Sequence, residues 1–522
     1  MDETGSIFTK KDLEQLAEHG ISQEEASSQI AYLRDGRSYL QLEGSGSIEY
    51  GIMRIKQDEM PYYLDLWDRY RYDPQHRITK FVPASGAATR MFQHLYELLD
   101  AGAKTKEELS EEQRYFFEHI EEFAFFGELS ESCLRNEWST VAKLLEGGRY
   151  DLVAKSLLTE RGLNYGHLPK GLVPFHKYPG KYIRTAATEH LAEGALYTKN
   201  SNGVVRIHYT VSPEHIDFFR QHVERASSRI EGDYGVIIES SFSTQNSSSD
   251  TLALDEEGMP FRTEEGDLLF RPGGHGALID NLADLESDVI FIKNIDNVTM
   301  EHLKSNTILY KKLLGGVLLA VQERIFGYLR QLDKGKCSHS QLEEMVDFLH
   351  KVLCIQLPQV DLLGDKELAE RIQQKLNRPI RVCGMVRNDG EPGGGPYIVR
   401  EADGSTSLQI VEASQIDKSS ERDASILASS GYFNPVDIVC SPYDFKGQHF
   451  HLQDYVNKRT AFVATKSQNG KQLQALERPG LWNGAMHHWN TIFVEVPSDT
   501  FTPVKTVTDL LRQEHRGVDD LD

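Results

Sequence analysis

The residues best suited to chemistry lie in three short segments. Ala84-Ser85-Gly86-Ala87-Ala88-Thr89-Arg90 follows the strand-like run Ile78-Thr-Lys-Phe-Val-Pro and precedes a helical stretch, Met91 to Leu99. Small side chains let backbone N–H groups close on an anion, and the helix N-terminus adds partial positive charge. Arg90 adds a full charge. The same segment also reads as a tight turn with an ordinary surface arginine. Lys170 stands in Leu-Pro-Lys-Gly, a turn in which a lone lysine is usually solvated. Asp296 lies at the end of the apolar run 288–297. Open α/β sheets bind ligands at strand C-termini, and a carboxylate there suits Mg²⁺, which takes one or two carboxylates plus substrate phosphates. An Asp in that place can equally cap the next helix.

The histidines and cysteines are less specific. His449-x-His451 can share one strand face and His487-His488 are adjacent. No Cys or third His stands at ligand spacing, so structural or surface roles are expected. Five cysteines, far apart and without CxxC, indicate neither a disulfide framework nor a zinc ribbon. G-x-S-x-G, H-E-x-x-H and the Walker A pattern do not occur.

The elements that must position these residues alternate strand and helix. The 522-residue chain is long enough for two to four domains around a large core. Its 57 basic against 79 acidic residues leave −22 charges, which argues against nucleic-acid binding but not against a locally positive cleft. The longest apolar run, Leu313 to Val321, is too short to span a membrane, and the start MDETGSIF lacks a signal peptide. A cytoplasmic protein is expected. Residues 1–75 read as a helical N-terminal region, with one helix stopped by Gly20. A second is N-capped by Ser22, with Glu25 at N3 and its end at Gly36. An α/β core spans 76–300, with a helical insertion at about 104–160. A second helical insertion covers 301–378, and 379–522 is strand- and turn-rich with a final helix around 505–515. The fold class is α/β: a mixed, mostly parallel sheet flanked by helices, with a helical N-terminal layer and helical insertions.

Six motifs occur in a telling order: PASGAATRM (83–91), LPKGL (168–172), RPGGHGAL (271–278), KNIDN (293–297), QIVEAS (409–414) and FTPVK (501–505). In this order the chain resembles the UDP-sugar pyrophosphorylases and wider sugar nucleotidyltransferases of GT-A-like, Rossmann-like fold. Over nearly its whole length it looks closer still to an uncharacterised bacterial family distantly related to them. The resemblance implies that the backbone of Ala84, Ser85, Gly86, Ala87 and Thr89 holds the nucleotide and Arg90 its triphosphate. It implies that Lys170 bridges phosphates, that Gln245, Gly274 and His275 lie near base and ribose, and that Asp296 binds Mg²⁺. Gly384, Glu412 and Asn483 would face the sugar, and Lys505 its phosphate. Residues 76–300 would then be the nucleotide-binding core and 379–522 the sugar-binding part. The pattern departs from the family where Gly-Gly-x-Gly-Thr-Arg becomes Ser85-Gly86-Ala87-Ala88-Thr89-Arg90. It departs again where about ten residues between that Arg and the Pro-Lys lysine become 80 here.

The activity so implied joins a sugar 1-phosphate to a nucleoside triphosphate, UTP above all, and releases pyrophosphate. Other classes are a kinase or cytidylyltransferase, and a catalytically silent nucleotide-sugar binder. Under the first reading Arg90, Lys170 and Asp296 must converge on one cleft at the C-terminal sheet edge.

Overall fold

A computed structural model describes residues 7–35, 39–102, 105–468 and 470–517. Its centre is a nine-stranded sheet. In chain order the strands are Ile52–Met53 (β1), Ile78–Pro83 (β2), Val204–Thr210 (β3), Ile237–Ser243 (β4), Val289–Ile292 (β5), Ile380–Arg387 (β6), Tyr432–Phe433 (β7), Ile438–Ser441 (β8) and Asn490–Glu495 (β9). Spatially they run β1-β9-β6-β8-β5-β2-β3-β4, with β7 paired to β6. β8 and β7 are antiparallel to their neighbours and the other strands share one direction, so most C-termini meet at one edge. The mixed, mostly parallel sheet expected from the sequence is present.

Alternation along the central strands divides the core in two, because successive side chains point to opposite faces. Val289 and Phe291, with Val382, Val439 and Ile492, pack under the helices Ser305–Asp333, His339–Leu353 and Asp365–Leu376. Ile290 and Ile292, with Cys383, Ile438 and Phe493, face the helix Leu278–Ala283 and a three-stranded sheet carrying Leu408 and Ile410. A third cluster joins the helices of 111–158 to β3 and to the helices Ala186–Tyr197 and Ile216–Tyr234. Both faces covered by apolar layers is the condition under which parallel strands read as continuous apolar runs.

Three expectations need correction. The N-terminal helices form where their caps predict: Gly20 is left-handed at φ 74°, and the Ser22 hydroxyl accepts from the Glu25 N–H at 3.1 Å. Gly36 lies outside the described residues. Yet Lys10–His19 and Gln23–Asp35 pack on a separate four-stranded sheet through Leu16, Ile30, Leu252 and Leu476, whereas Met60–Tyr72 lies on Ser305–Asp333. Two short strands, Leu42–Ser45 and β1, stand between. They are not one layer, because periodicity defines an apolar face and not its partner. Second, Ser305–Asp333, read as part of a helical insertion, is the main cover of one sheet face. Third, the chain ends in 3₁₀ turns, Val507–Leu511 and Gln513–His515, where a helix was expected. There the Asp509 carboxylate accepts from the N–H groups of Lys505 and Thr506 and tightens the chain into a short capped turn.

The contact between Met60–Tyr72 and Ser305–Asp333 depends on two glycines. A Cβ on Gly316 would stand 2.1 Å from the Tyr63 carbonyl oxygen, and one on Gly315 would stand 2.6 Å from the Trp67 ring. Backbone cannot yield as a side-chain tip can. Gly316→Ala is expected to destabilise the fold by about 2–3 kcal/mol through overpacking, read as a lower denaturation midpoint with unchanged m-value.

Candidate functional site

The anion loop begins where β2 ends. Ala84 donates its N–H to the Thr210 carbonyl at the end of β3, 2.9 Å away. The loop then pairs with the Pro-Lys turn: Lys170 N–H donates to Gly86 O and Ala88 N–H to Leu168 O, both at 3.0 Å. Ala87 and Pro169 form an antiparallel bridge. Residues 80 apart in sequence are thus joined by backbone. The successive N–H groups of Ser85, Gly86 and Ala87 keep no partner among the described residues, and all three residues are exposed. No protein atom lies within 4 Å of where a Gly86 Cβ would stand. Three successive N–H groups without a protein partner, beside open space, are a candidate cradle for an anion.

One side-chain contact anchors the loop, and one element differs from expectation. The Thr89 hydroxyl donates to Gly166 O at 2.8 Å, so it holds the loop to the turn before Lys170. The α-helix starts only at Gln93, after the 3₁₀ turn Ala88–Phe92, so the cradle is one turn removed from the helix dipole. Arg90 lies in that turn, exposed and without an ion pair among the described residues.

Lys170, Asp296 and Lys505 come together. Lys170 Nζ donates to Asp296 Oδ2 at 3.0 Å and to the Val504 carbonyl at 2.8 Å. Lys505 Nζ stands 3.6 Å from the same carboxylate oxygen. The side chains of Lys170 and Asp296 are only 14% and 12% exposed, against 53% for Lys505, so one lysine is set and the other free to swing. Val504 N–H donates to the Asp296 carbonyl at 3.1 Å, which fixes the FTPVK segment to the strand end. Three residues from three distant motifs share one contact. Sequence reasoning had placed Lys505 on the sugar phosphate and had not linked it to Asp296.

Beneath this floor lies a charge centre that sequence reasoning missed. Glu193, on Ala186–Tyr197, accepts from Lys80 of β2 and from Lys293 just after β5, each at 2.9 Å, all three fully or almost fully buried. Burial raises the Glu193 carboxyl, but Lys293 and Lys80 outweigh it and hold it well below the usual carboxylate range. Burial draws the Lys80 ammonium down to about 7 against the pull of Glu193. One carboxylate neutralises one ammonium, so the second lysine yields its proton readily. His190, one turn before Glu193, has Nε2 3.2 Å from the Ile295 carbonyl. Burial keeps its imidazole neutral, so Nε2 carries the hydrogen and donates. Asp296 is therefore held from below. The visible signal was a lysine in the middle of an apolar strand.

The remaining residues form a second group. Gln245 follows β4 and donates to the Ser249 hydroxyl at 3.2 Å. Arg478 ties that segment to the glycine loop, its Nε donating to Ser249 O at 2.7 Å and its N–H to Gly273 O at 2.9 Å. Gly274, at φ 75°, opens the turn that carries His275. His275 stacks on Trp482, with ring centroids 4.1 Å apart, and its Nδ1 accepts from the Leu481 N–H at 3.0 Å. Burial lowers its pKa to about 4. In the same turn Asn483 donates to Glu412 Oε1 at 2.8 Å, and its own Oδ1 is buried without a partner. Glu412 lines a cavity of about 360 Å³ with Asn388, Ser414, Ser430 and Tyr397. Gly384 is the exception. It is buried inside β6, where a Cβ would meet Asp437 and Val496 at 3.2 Å, so it serves packing and offers no open face.

His275 and His208, both held near 4 by burial, are neutral when folded at pH 7 and protonate at about 6.5 when unfolded. The unfolded chain then binds more protons between those values. Their contribution to stability is complete above about pH 6.5 and is lost as pH drops toward 4. His275→Gln should lessen that slope by at most about 1.4 kcal/mol per pH unit, measured by urea unfolding across pH 4–7.

Solved structures similar to this chain include UDP-glucose pyrophosphorylase from Leishmania major, solved in open and closed forms. That likeness has 12% identity and a TM-score of 0.42 over 97% of this chain and 80% of that one. UDP-N-acetylglucosamine pyrophosphorylase from Trypanosoma brucei, in complex with an inhibitor, is similar at 11% identity. Its TM-score is 0.45, over 94% of this chain and 74% of that one. No curated protein matches the chain. A family model described as Domain of unknown function (DUF4301) matches residues 9–516, nearly the whole chain, which therefore belongs to that family.

Proposed function

We propose that the protein is a nucleotidyltransferase that joins a sugar 1-phosphate to a nucleoside triphosphate, UTP above all, giving a nucleotide sugar and pyrophosphate. One observation carries the reading: two lysines and one carboxylate in mutual contact beside three unpaired N–H groups, at the C-terminal edge of parallel strands. Such an edge is where open α/β sheets take phosphates. A sugar phosphate oxygen is already anionic near neutral pH, so no base is required. Lys170, Arg90 and Lys505 would neutralise phosphate charge while the 85–87 N–H groups orient it, and pyrophosphate would leave in line with the attacking oxygen.

Asp296 fits a magnesium ion. Its Oδ1 has no partner among the described residues, and one carboxylate suffices when phosphates complete the shell. Bound there, Mg²⁺ would offset phosphate charge. Without substrate, Lys170 holds the other oxygen, and incoming phosphates would offer that ammonium a second anionic partner. On the other side, residues 379–522 would hold the sugar, with Glu412 at the 360 Å³ cavity accepting from hydroxyls.

The test is pyrophosphate release with Mg²⁺ across four nucleoside triphosphates and a pool of sugar 1-phosphates. Release only when both substrates are present is expected. Release of nucleoside diphosphate would indicate a kinase, and binding without turnover a silent binder. Asp296→Asn should keep the fold and lower turnover by a hundred- to several-thousand-fold, or about 3–5 kcal/mol of transition-state stabilisation. Near-normal turnover would remove Asp296 from the metal role. Glu412→Gln should weaken the sugar phosphate roughly five- to thirty-fold, about 1–2 kcal/mol, and the nucleotide much less. Separate titrations of the two substrates decide between a sugar contact and a structural pair with Asn483.

A further inference from the structure

We infer that Glu401, His487 and His488 form a binding site for a divalent transition-metal ion, zinc by donor set, distinct from Asp296. Spacing alone gave the adjacent histidines no third ligand. The fold brings Glu401, at the end of a strand 86 residues earlier, to His487, whose Nε2 stands 3.0 Å from a carboxylate oxygen. One donor atom from each of the three residues lies within 4.8 Å of the other two.

Two ligands on one tetrahedral zinc, each at 2.0–2.1 Å, stand roughly 3.4 Å apart. The Glu401–His487 pair, at 3.0 Å, is within about 0.4 Å of that spacing, and closing the third side takes a shift of at most about 1.4 Å by the His488 ring. That ring makes no hydrogen bond among the described residues, although it is half-buried. A ring nitrogen is therefore available at no cost in existing bonds. Two imidazoles and a carboxylate are the donors of an open zinc site and are too rich in nitrogen for Mg²⁺.

Supporting contacts hold the donors. The Ser407 hydroxyl donates to Glu401 Oε1, Gln409 Nε2 donates to the His487 carbonyl at 2.7 Å, and the His488 N–H donates to Tyr455 O at 3.1 Å. Such outer contacts orient ligands. A neighbouring lysine is occupied: Lys375 Nζ binds Asp403 at 2.6 Å and Ser405 at 2.7 Å. His488 opens onto a cavity of about 670 Å³ that also holds Arg378 and Tyr455, so the fourth position would take water or a small anion.

The experiment is calorimetric titration of ZnCl₂ into the chelator-stripped full chain, with millimolar MgCl₂ present throughout. One zinc per chain is expected, with a Kd at or below about 1 μM. His488→Ala, which leaves the Glu401–His487 pair intact, should weaken it at least about tenfold, and Glu401→Gln likewise. A double control, His449→Ala with His451→Ala, should bind as the wild type does. Melting in chelator, unchanged for His488→Ala, checks that the fold is kept. Should Glu401→Gln fail to fold, His488→Ala alone decides. Equal zinc affinity in wild type and His488→Ala, loss confined to the double control, or no zinc binding at all would each overturn the site.

Discussion

The placement of the loop 84–90 and Asp296 depends on one buried carboxylate. Glu193 has no contact with water and is met by Lys80 from β2 and Lys293 from the end of β5. Removing both partners would leave its charge stranded in a medium that cannot solvate it. The three residues therefore hold helix Ala186–Tyr197 at one height against two adjacent strands. Those strands deliver the loop 84–90 and Asp296, so the register of the floor sets the register of the site.

Above that floor, backbone pairing replaces closeness in sequence. The helices of residues 111–158 lie between the anion loop and Lys170, and they pack into the same cluster as β3 and the helix that carries Glu193. Their excursion returns to its starting point, because Gly86 and Ala88 hydrogen-bond residues 170 and 168. A chain with −22 charges thus presents Lys170, Lys505 and the free N–H groups of 85–87 together. Net charge governs the distant field and contact governs the cleft.

The turn 479–489 joins the rest. A Cβ on Gly480 would reach 2.4 Å from His275, and one on Gly276 2.1 Å from Pro479 O, so both glycines are required by close approach. Through this turn Trp482 stacks on His275, Asn483 meets Glu412, and His487 meets Glu401. The loop that carries His275 and the segments that carry Glu401 and Glu412 are therefore tied to one turn.

The sequence by itself determined most of the local elements, though not the 3₁₀ turns at 88–92 and 507–515. A strand-like run specified β2 and an apolar run β5, caps at Gly20 and Ser22 specified the first helices, and small residues after Pro83 marked the loop. Those signals are local because hydrogen-bond geometry and side-chain alternation act over a few residues. The order of the motifs already pointed to Lys170, Asp296 and Lys505, but not to their meeting at one carboxylate oxygen. Only tertiary structure decided which apolar face meets which, so the N-terminal helices parted company and Ser305–Asp333 became core. It also decided that Gly384 is a packing residue, that Lys80 and Lys293 share Glu193, and that Glu401 stands beside His487. Each of those outcomes joins residues far apart in the chain. Their pairing is set by the total burial of apolar surface and the need to match every buried charge, which no short window of sequence contains.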